Sequence, residues 1–246
     1  AEDDGGLSAE AMAVLREEDQ GVALALSELD VHLVTQLAHR TGFSQMDPQK
    51  VCPVLMEYSD DGLLSKREFD RFLSELVPDL FGGGPLMEGE PPMTDEERSA
   101  FGSLLSSIFY AYDRDSTSQV DVLEFSSGFS LLCHGSKSTK LSYAFDLLDE
   151  DEDQKLSRRG LWRYLRSFLT VLMGASLANS GLSGEELVWA IDSGAVHAAA
   201  VIYQETEREE KNKISFEELA AWYTNGGYWF APWLELLDLK KWLVAE

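Results

Sequence analysis

One pattern recurs four times along this chain of 246 residues: a twelve-residue acid-rich stretch with an apolar side chain at its eighth position. The four stretches are Glu57 to Glu68 (EYSDDGLLSKRE), Asp113 to Glu124 (DRDSTSQVDVLE), Asp149 to Gly160 (DEDEDQKLSRRG) and Glu207 to Glu218 (EREEKNKISFEE). Position 8 is Leu64, Val120, Leu156 and Ile214, and the residue after position 12 is Phe69, Phe125, Leu161 and Leu219. Four residues before position 1 stand Phe109, Phe145 and Tyr203 in three stretches and Pro53 in the first. The middle stretches start 36 residues apart, and the outer gaps are 56 and 58 residues. An acidic run alone says little in a chain with 44 Asp and Glu, but the shared apolar frame does not come from acidity.

Oxygen donors at positions 1, 3, 5, 9 and 12, with a backbone carbonyl at 7, can surround a hard divalent cation. Ca²⁺ takes 6–8 oxygens, and a glutamate at position 12 supplies two of them from the next helix. Asp113, Asp115, Thr117, Asp121 and Glu124 fill this pattern, with Gln119 at the carbonyl position. Only Ser118 departs from it, at position 6, where the chain turns sharply and glycine is usual. Asp149, Asp151, Asp153 and Ser157 fit the next loop, with Lys155 at the carbonyl position. Gly160 at position 12 removes the bidentate glutamate, which weakens Ca²⁺ or leaves room for water and Mg²⁺. In the outer loops Glu57 is one methylene too long for position 1, and Lys211 occupies position 5, where an oxygen is needed. Both read as degenerate loops that hold structure more than metal. The pairs Ser65/Glu68, Asp121/Glu124 and Ser215/Glu218 also read as helix caps, which alone would explain them.

The rest reads as nearly all helix. Leu29, Leu33 and Leu37 keep helical spacing up to Thr41-Gly42. Asp47-Pro48 forms an N-cap with proline at the first helical position. Phe69, Phe72, Leu73 and Leu76 make one apolar stripe, and Phe101 to Tyr112 another. Gly/Pro-rich 78–93 and Ser/Ala/Gly-rich 174–184 read as linkers. Thr94 to Glu97 and Ser183 to Glu186 restart helices as capping boxes.

With the loops and their frame described, the chain resembles the EF-hand superfamily. In layout it is similar to four-hand calcium sensors of the calcineurin B and neuronal calcium sensor type. Glu124-Phe125 through Gly135 to Lys140-Leu141, then Ala144-Phe145-Asp146-Leu147-Leu148-Asp149, resembles the join between the second and third hands of such proteins. The likeness runs from Gln45 to Tyr223. It implies an all-α fold with two lobes of paired helix–loop–helix units and short loop–loop β-bridges. The expected division is 1–44 (acidic end and helices), 45–134 (first pair), 135–224 (second pair) and 225–246 (a Trp-rich amphipathic helix).

Charge and motifs remove other classes. A net charge of −24 repels nucleic acid and anionic membrane surfaces. No apolar run reaches the roughly 18 residues a membrane helix needs. No GxSxG, P-loop or GxGxxG occurs, so an enzyme is not expected. His32, His39, His134 and His197 form no metal-ligand set and read as surface or packing residues. Cys52 and Cys133 form no CxxC, and a single bridge between them stays open. The expected function is a cytoplasmic calcium sensor or adaptor that presents an apolar groove to a protein partner. Trp233, Leu237 and Trp242 can share one helical face that docks in such a groove of the same chain or simply seals the core. The alternative is a structural EF-hand scaffold component of a larger assembly, with metal static or absent. A regulatory segment of a larger protein is a further reading.

Overall fold

The computed structural model describes residues 15–16, 23–24, 28–84, 91–180 and 182–238. Leu15–Arg16 (β1) pairs antiparallel with Ala23–Leu24 (β2) ahead of the first helix, Glu28–Arg40 (α1). The buried side of α1 is Val31, Val34, Leu37 and Ala38, while Leu29 is exposed. The apolar stripe is therefore rotated from the Leu29/Leu33 line toward the β-branched residues.

Helix starts follow the capping chemistry of the sequence. Asp47 accepts the Gln49 N–H at 3.0 Å and Pro48 opens Pro48–Glu57 (α2). Leu63–Ser65 (β3) leads into Lys66–Leu76 (α3), where Ser65 accepts the Glu68 N–H. Thr94 and Glu97 form a reciprocal capping box on Asp95–Tyr112 (α4). Gln119–Asp121 (β4) precedes Val122–Phe129 (α5), and Ser136 caps Lys137–Leu148 (α6). Lys155–Ser157 (β5) runs into Arg158–Ser180 (α7), and Ser183 and Glu186 box the start of Gly184–Glu205 (α8). Lys213–Ser215 (β6) and Phe216–Trp222 (α9) complete the last hand. Each such cap contributes on the order of 1 kcal/mol.

The loops pair as two antiparallel bridges. Leu64 faces Val120 across β3 and β4, and Leu156 faces Ile214 across β5 and β6. All four are buried. This register fixes where the flanking helices leave each loop, so the residues framing the loops meet. Phe69 stacks on Phe109 with centroids 5.3 Å apart, and Phe125 meets Phe69 edge-on at 5.1 Å. In the second pair Phe145 packs edge-on against Tyr164 and Phe216, and the Tyr203 hydroxyl donates to the Leu156 carbonyl at 2.8 Å. Edge-on aromatic pairs add about 0.5–1.5 kcal/mol beyond area burial.

The two pairs share one core. Helix α7 packs against α1, α4, α5, α6 and α8, and its face from Tyr164 to Met173 is buried. It continues through the stretch expected as a linker, so helical structure extends to Ser180. The reason is Gly174: a β-carbon there would stand 3.0 Å from the Ile108 Cα, so this glycine permits close approach of α7 to α4 rather than a turn. Residue 181 lies outside the described residues. In the first linker, Asp79 is buried, accepts the Met93 N–H at 3.0 Å and meets Arg98 at 3.3 Å. Arg40 of α1 pairs with both carboxylate oxygens of Glu97 on α4, at 3.1 and 3.3 Å.

After α9 the chain kinks through Tyr223–Gly227, and the last described element is Pro232–Leu237, a 3₁₀ segment rather than the start of a regular α-helix. Trp233, Leu234, Leu236 and Leu237 are buried beside α6. The buried Lys140 ammonium donates to the Leu131 and Leu237 carbonyls at 2.7 and 2.9 Å. Trp242, assigned to the same face in the sequence, lies outside the described residues. Cys52 and Cys133 are both buried free thiols, so no bridge joins them. Burial pushes the Cys52 thiol up to about 12, which leaves it inert. No helix among the described residues is long and apolar enough to cross a membrane.

The tightest seam between the pairs lies at Gly128 of α5, where an added β-carbon would overlap the Tyr112 hydroxyl and the Ser167 carbonyl. Gly128→Ala is expected to destabilise by about 2–3 kcal/mol in urea unfolding, at the upper end of overpacking effects. Gly102→Ala on α4, with nothing within 4 Å, is the control and should be neutral or stabilising by about 0.5–1 kcal/mol.

Candidate metal centre

The loop 149–160 lies between α6 and α7. Helix α6 ends at Asp149, whose N–H donates to the Phe145 carbonyl at 3.1 Å. Glu152 and Gln154 take left-handed backbone angles (φ 54° and 64°), which curl the chain so that alternate side chains point inward. Oxygens of Asp149, Asp151 and Asp153 lie within 4.8 Å of one another, and no other trio of acidic, His or Cys side chains among the described residues converges so closely. Asp149 Oδ2 accepts the Gln154 N–H at 2.6 Å, but Asp149 Oδ1 is buried and has no hydrogen-bond partner. A buried carboxylate oxygen without a donor is costly, and a cation is what would satisfy it. Ser157 Oγ accepts the Gly160 N–H at 3.1 Å. These residues fit a divalent ion, but one cation of the chain already competes for them. The Lys213 ammonium from the facing loop bonds Asp151 at 2.5 Å and also Asp153. Those bonds lower the Asp151 pKa and raise that of Lys213 above the usual lysine range. Both partners of this contact sit near solvent, where such pairs contribute only about 0–1 kcal/mol.

The loop 113–124 has the better sequence and a different geometry. Ser116 and Ser118 are left-handed (φ 54° and 58°), the same crook as its neighbour. Both Asp113 oxygens are occupied: Oδ1 accepts the Thr117 N–H at 2.9 Å and Oδ2 the Ser118 N–H at 2.8 Å. Asp121 Oδ1 accepts the Glu124 N–H at 2.9 Å as a helix cap, and Asp121 Oδ2 accepts from Arg163 at 2.8 Å. Asp115 and Gln119 are exposed, and Thr117 is exposed apart from its hydrogen bonds to Asp113. Glu124 is 2% exposed and receives the Arg166 Nη1 donor at 2.6 Å. Arg114 and Arg163 stand 3.8 and 3.9 Å from its other oxygen. Arg166 is fully buried on α7 and also bonds Asp192 of α8. Burial opposes its charge, yet Glu124 and Asp192 outweigh that, and the guanidinium is held more firmly protonated than a free one.

The outer loops bend by other means. Gly62 supplies a left-handed turn (φ 76°) in the first, where Glu57 is exposed and Glu68 faces Arg71 at 3.4 Å. In the last loop Glu218 accepts the Glu209 and Ser215 N–H groups at 2.7 and 2.8 Å. Burial works against its charge, but these donors and Lys155 hold its carboxyl below the usual range.

Arg166, Arg163, Arg114 and Lys213 are the residues that loop matching passed over. Arg166 left one signal: it sits in the run Tyr164-Leu165-Arg166-Ser167-Phe168-Leu169, where an arginine buried among apolar neighbours demands an acidic partner. Nothing in spacing tells which acid that is.

No protein-family model matches the chain. A guanylyl cyclase inhibitory protein of Lithobates pipiens is 25% identical over 144 residues, covering 58% of this chain and 61% of that protein. Human calaxin is 27% identical over 131 residues, 47% of this chain and 61% of its own length. The calcineurin B protein of Schizosaccharomyces pombe is 29% identical over 120 residues, 48% of this chain and 59% of the relative. The chain thus matches about three fifths of the length of these relatives. The fold of this chain is the all-α EF-hand layout, with its loops joined in pairs by short antiparallel bridges.

Ser118 stands where a glycine would relieve left-handed strain of about 1–2 kcal/mol. After the extra backbone entropy of glycine is subtracted, Ser118→Gly should stabilise by about 0.5–1 kcal/mol in urea unfolding without added metal.

Proposed function

We propose that this chain is a calcium-binding regulatory protein whose first ion enters the loop 149–160. The observation that carries this reading is the buried Oδ1 of Asp149, without a hydrogen-bond partner, in a residue clustered with Asp151 and Asp153. Asp149, Asp151, Asp153, the carbonyl of Lys155 and Ser157 would hold the ion, with water at the place left by Gly160. A divalent cation would supply more positive charge to the three carboxylates than the single Lys213 ammonium does, and Mg²⁺ shares the preference for oxygen and retained water. Lys213 would then release Asp151 and Asp153. Because Lys213 lies in β6, opposite Ser157, its release acts on the strand that leads into α9 and the C-terminal segment. That segment is held by the Lys137–Glu235 pair, the Tyr223 hydroxyl on Glu235 at 2.7 Å and Lys140. It is the natural occupant of an apolar groove that a protein partner would otherwise fill. The fold and the calcium-sensor relatives support a non-enzymatic adaptor, and a cytoplasmic setting suits a calcium-triggered one.

A scaffold role is the second reading. It is favoured by Lys213 and Arg166, which neutralise loop carboxylates without any metal.

Calorimetric titration with Ca²⁺ separates the two, with tryptophan emission and hydrophobic-dye binding followed in parallel. The wild type should bind with a Kd of about 10⁻⁵ M or weaker, reflecting the missing position-12 glutamate. Asp149→Asn should remove that heat and the optical change. Binding unchanged in Asp149→Asn defeats the site, and binding without any optical change favours the scaffold.

A further inference from the structure

The loop 113–124 carries the best calcium signature in the sequence, yet its position-12 carboxylate is not free for an ion. We infer that Arg166 takes the place of a metal in this loop, holding Glu124 closed and tying the first pair of hands to the second. Four observations combine. Glu124 is 2% exposed and Arg166 fully buried, with Nη1 and Oε1 2.6 Å apart. Arg114 and Arg163 close the other side of the same carboxylate. Arg163 also takes Asp121, the position-9 oxygen. Asp113 has donors on both oxygens, in contrast to Asp149, whose Oδ1 is left without one.

An ion in this loop would have to take Glu124 from a guanidinium that has no route to water. Removing one partner from a buried pair is strongly unfavourable, and Arg166 would keep only Asp192 as a charged partner for its buried guanidinium. The half-buried Lys213 on the neighbouring loop meets carboxylates at the solvent edge and carries far less of that penalty. The two loops therefore differ in a direction opposite to their sequence scores. The loop 113–124 binds Ca²⁺ on the order of a hundredfold or more weakly than its ligand set alone would. It also keeps its crook in calcium-free solution. Arg166 further bonds Asp192, so Glu124 of α5, Arg166 of α7 and Asp192 of α8 form one bridge between the hand pairs.

The inference rests on the calcium reading for its metal arm, and the apo arm tests it alone. In metal-free buffer with chelator, Glu124→Gln should lower the unfolding midpoint, because it breaks the Arg166 pair. If Glu124 were instead a metal ligand among repelling carboxylates, the same change would leave apo stability unchanged or raise it. In the metal arm, Ca²⁺ is titrated into Asp149→Asn, where only the loop 113–124 remains. No binding at micromolar Ca²⁺ is expected. Adding Arg166→Gln should give a site at least about a hundredfold tighter, lost again on adding Glu124→Gln. Micromolar binding by Asp149→Asn alone, abolished by Glu124→Gln, overturns the inference. So does an Arg166→Gln variant that folds and gains no site. If Arg166→Gln does not fold, the apo stability of Glu124→Gln still decides. If Asp149→Asn binds as the wild type does and Glu124→Gln has no effect, the calcium site was misassigned, while the arginine assignment stands or falls on the apo result.

Discussion

Two short antiparallel pairings carry the architecture. Leu64 against Val120 and Leu156 against Ile214 bury one apolar side chain from each loop and set the loops in register. Given that register, the helices on either side leave at fixed places. Phe69, Phe109 and Phe125 then converge in one pair, and Phe145, Tyr164 and Phe216 in the other. Slipping either bridge by one residue would turn Val120 or Ile214 outward, so the apolar eighth position is the constraint that the acidic positions depend on.

Charge is the second constraint. A chain with 44 acids and 20 lysines and arginines must distribute its few cations with care. Three arginines surround the Glu124 carboxylate, and a lysine from the opposite loop reaches Asp151 and Asp153. Helix α7 supplies two of those arginines while also forming the seam between the hand pairs. The helix at the seam between the pairs is thus also the one that neutralises a loop of the first pair. The fully buried arginine and the lysine at the solvent edge differ in consequence, since a buried partner cannot be replaced by water.

Much of the fold was legible in the chain. The caps at Asp47, Ser65, Thr94 and Ser183 start helices for local reasons that involve only neighbours in sequence. Gly174 was not legible. In sequence it stands among Ser, Ala and Asn and suggests a break, whereas in the fold it lets α7 lie against Ile108. The pattern sets Asp113, Asp115, Asp121 and Glu124 along one loop, but does not tell which cation meets them.

The sequence by itself determined most helix starts, the four loops and their apolar pairing residues, because each of these is set by chemistry within a few residues. Only the tertiary structure decided that Asp149 keeps a carboxylate oxygen without a donor while Glu124 is closed by an arginine 42 positions away. A carboxylate takes whichever positive charge the packing brings within reach, and that choice depends on how α7 crosses α5, a relation between helices distant in sequence.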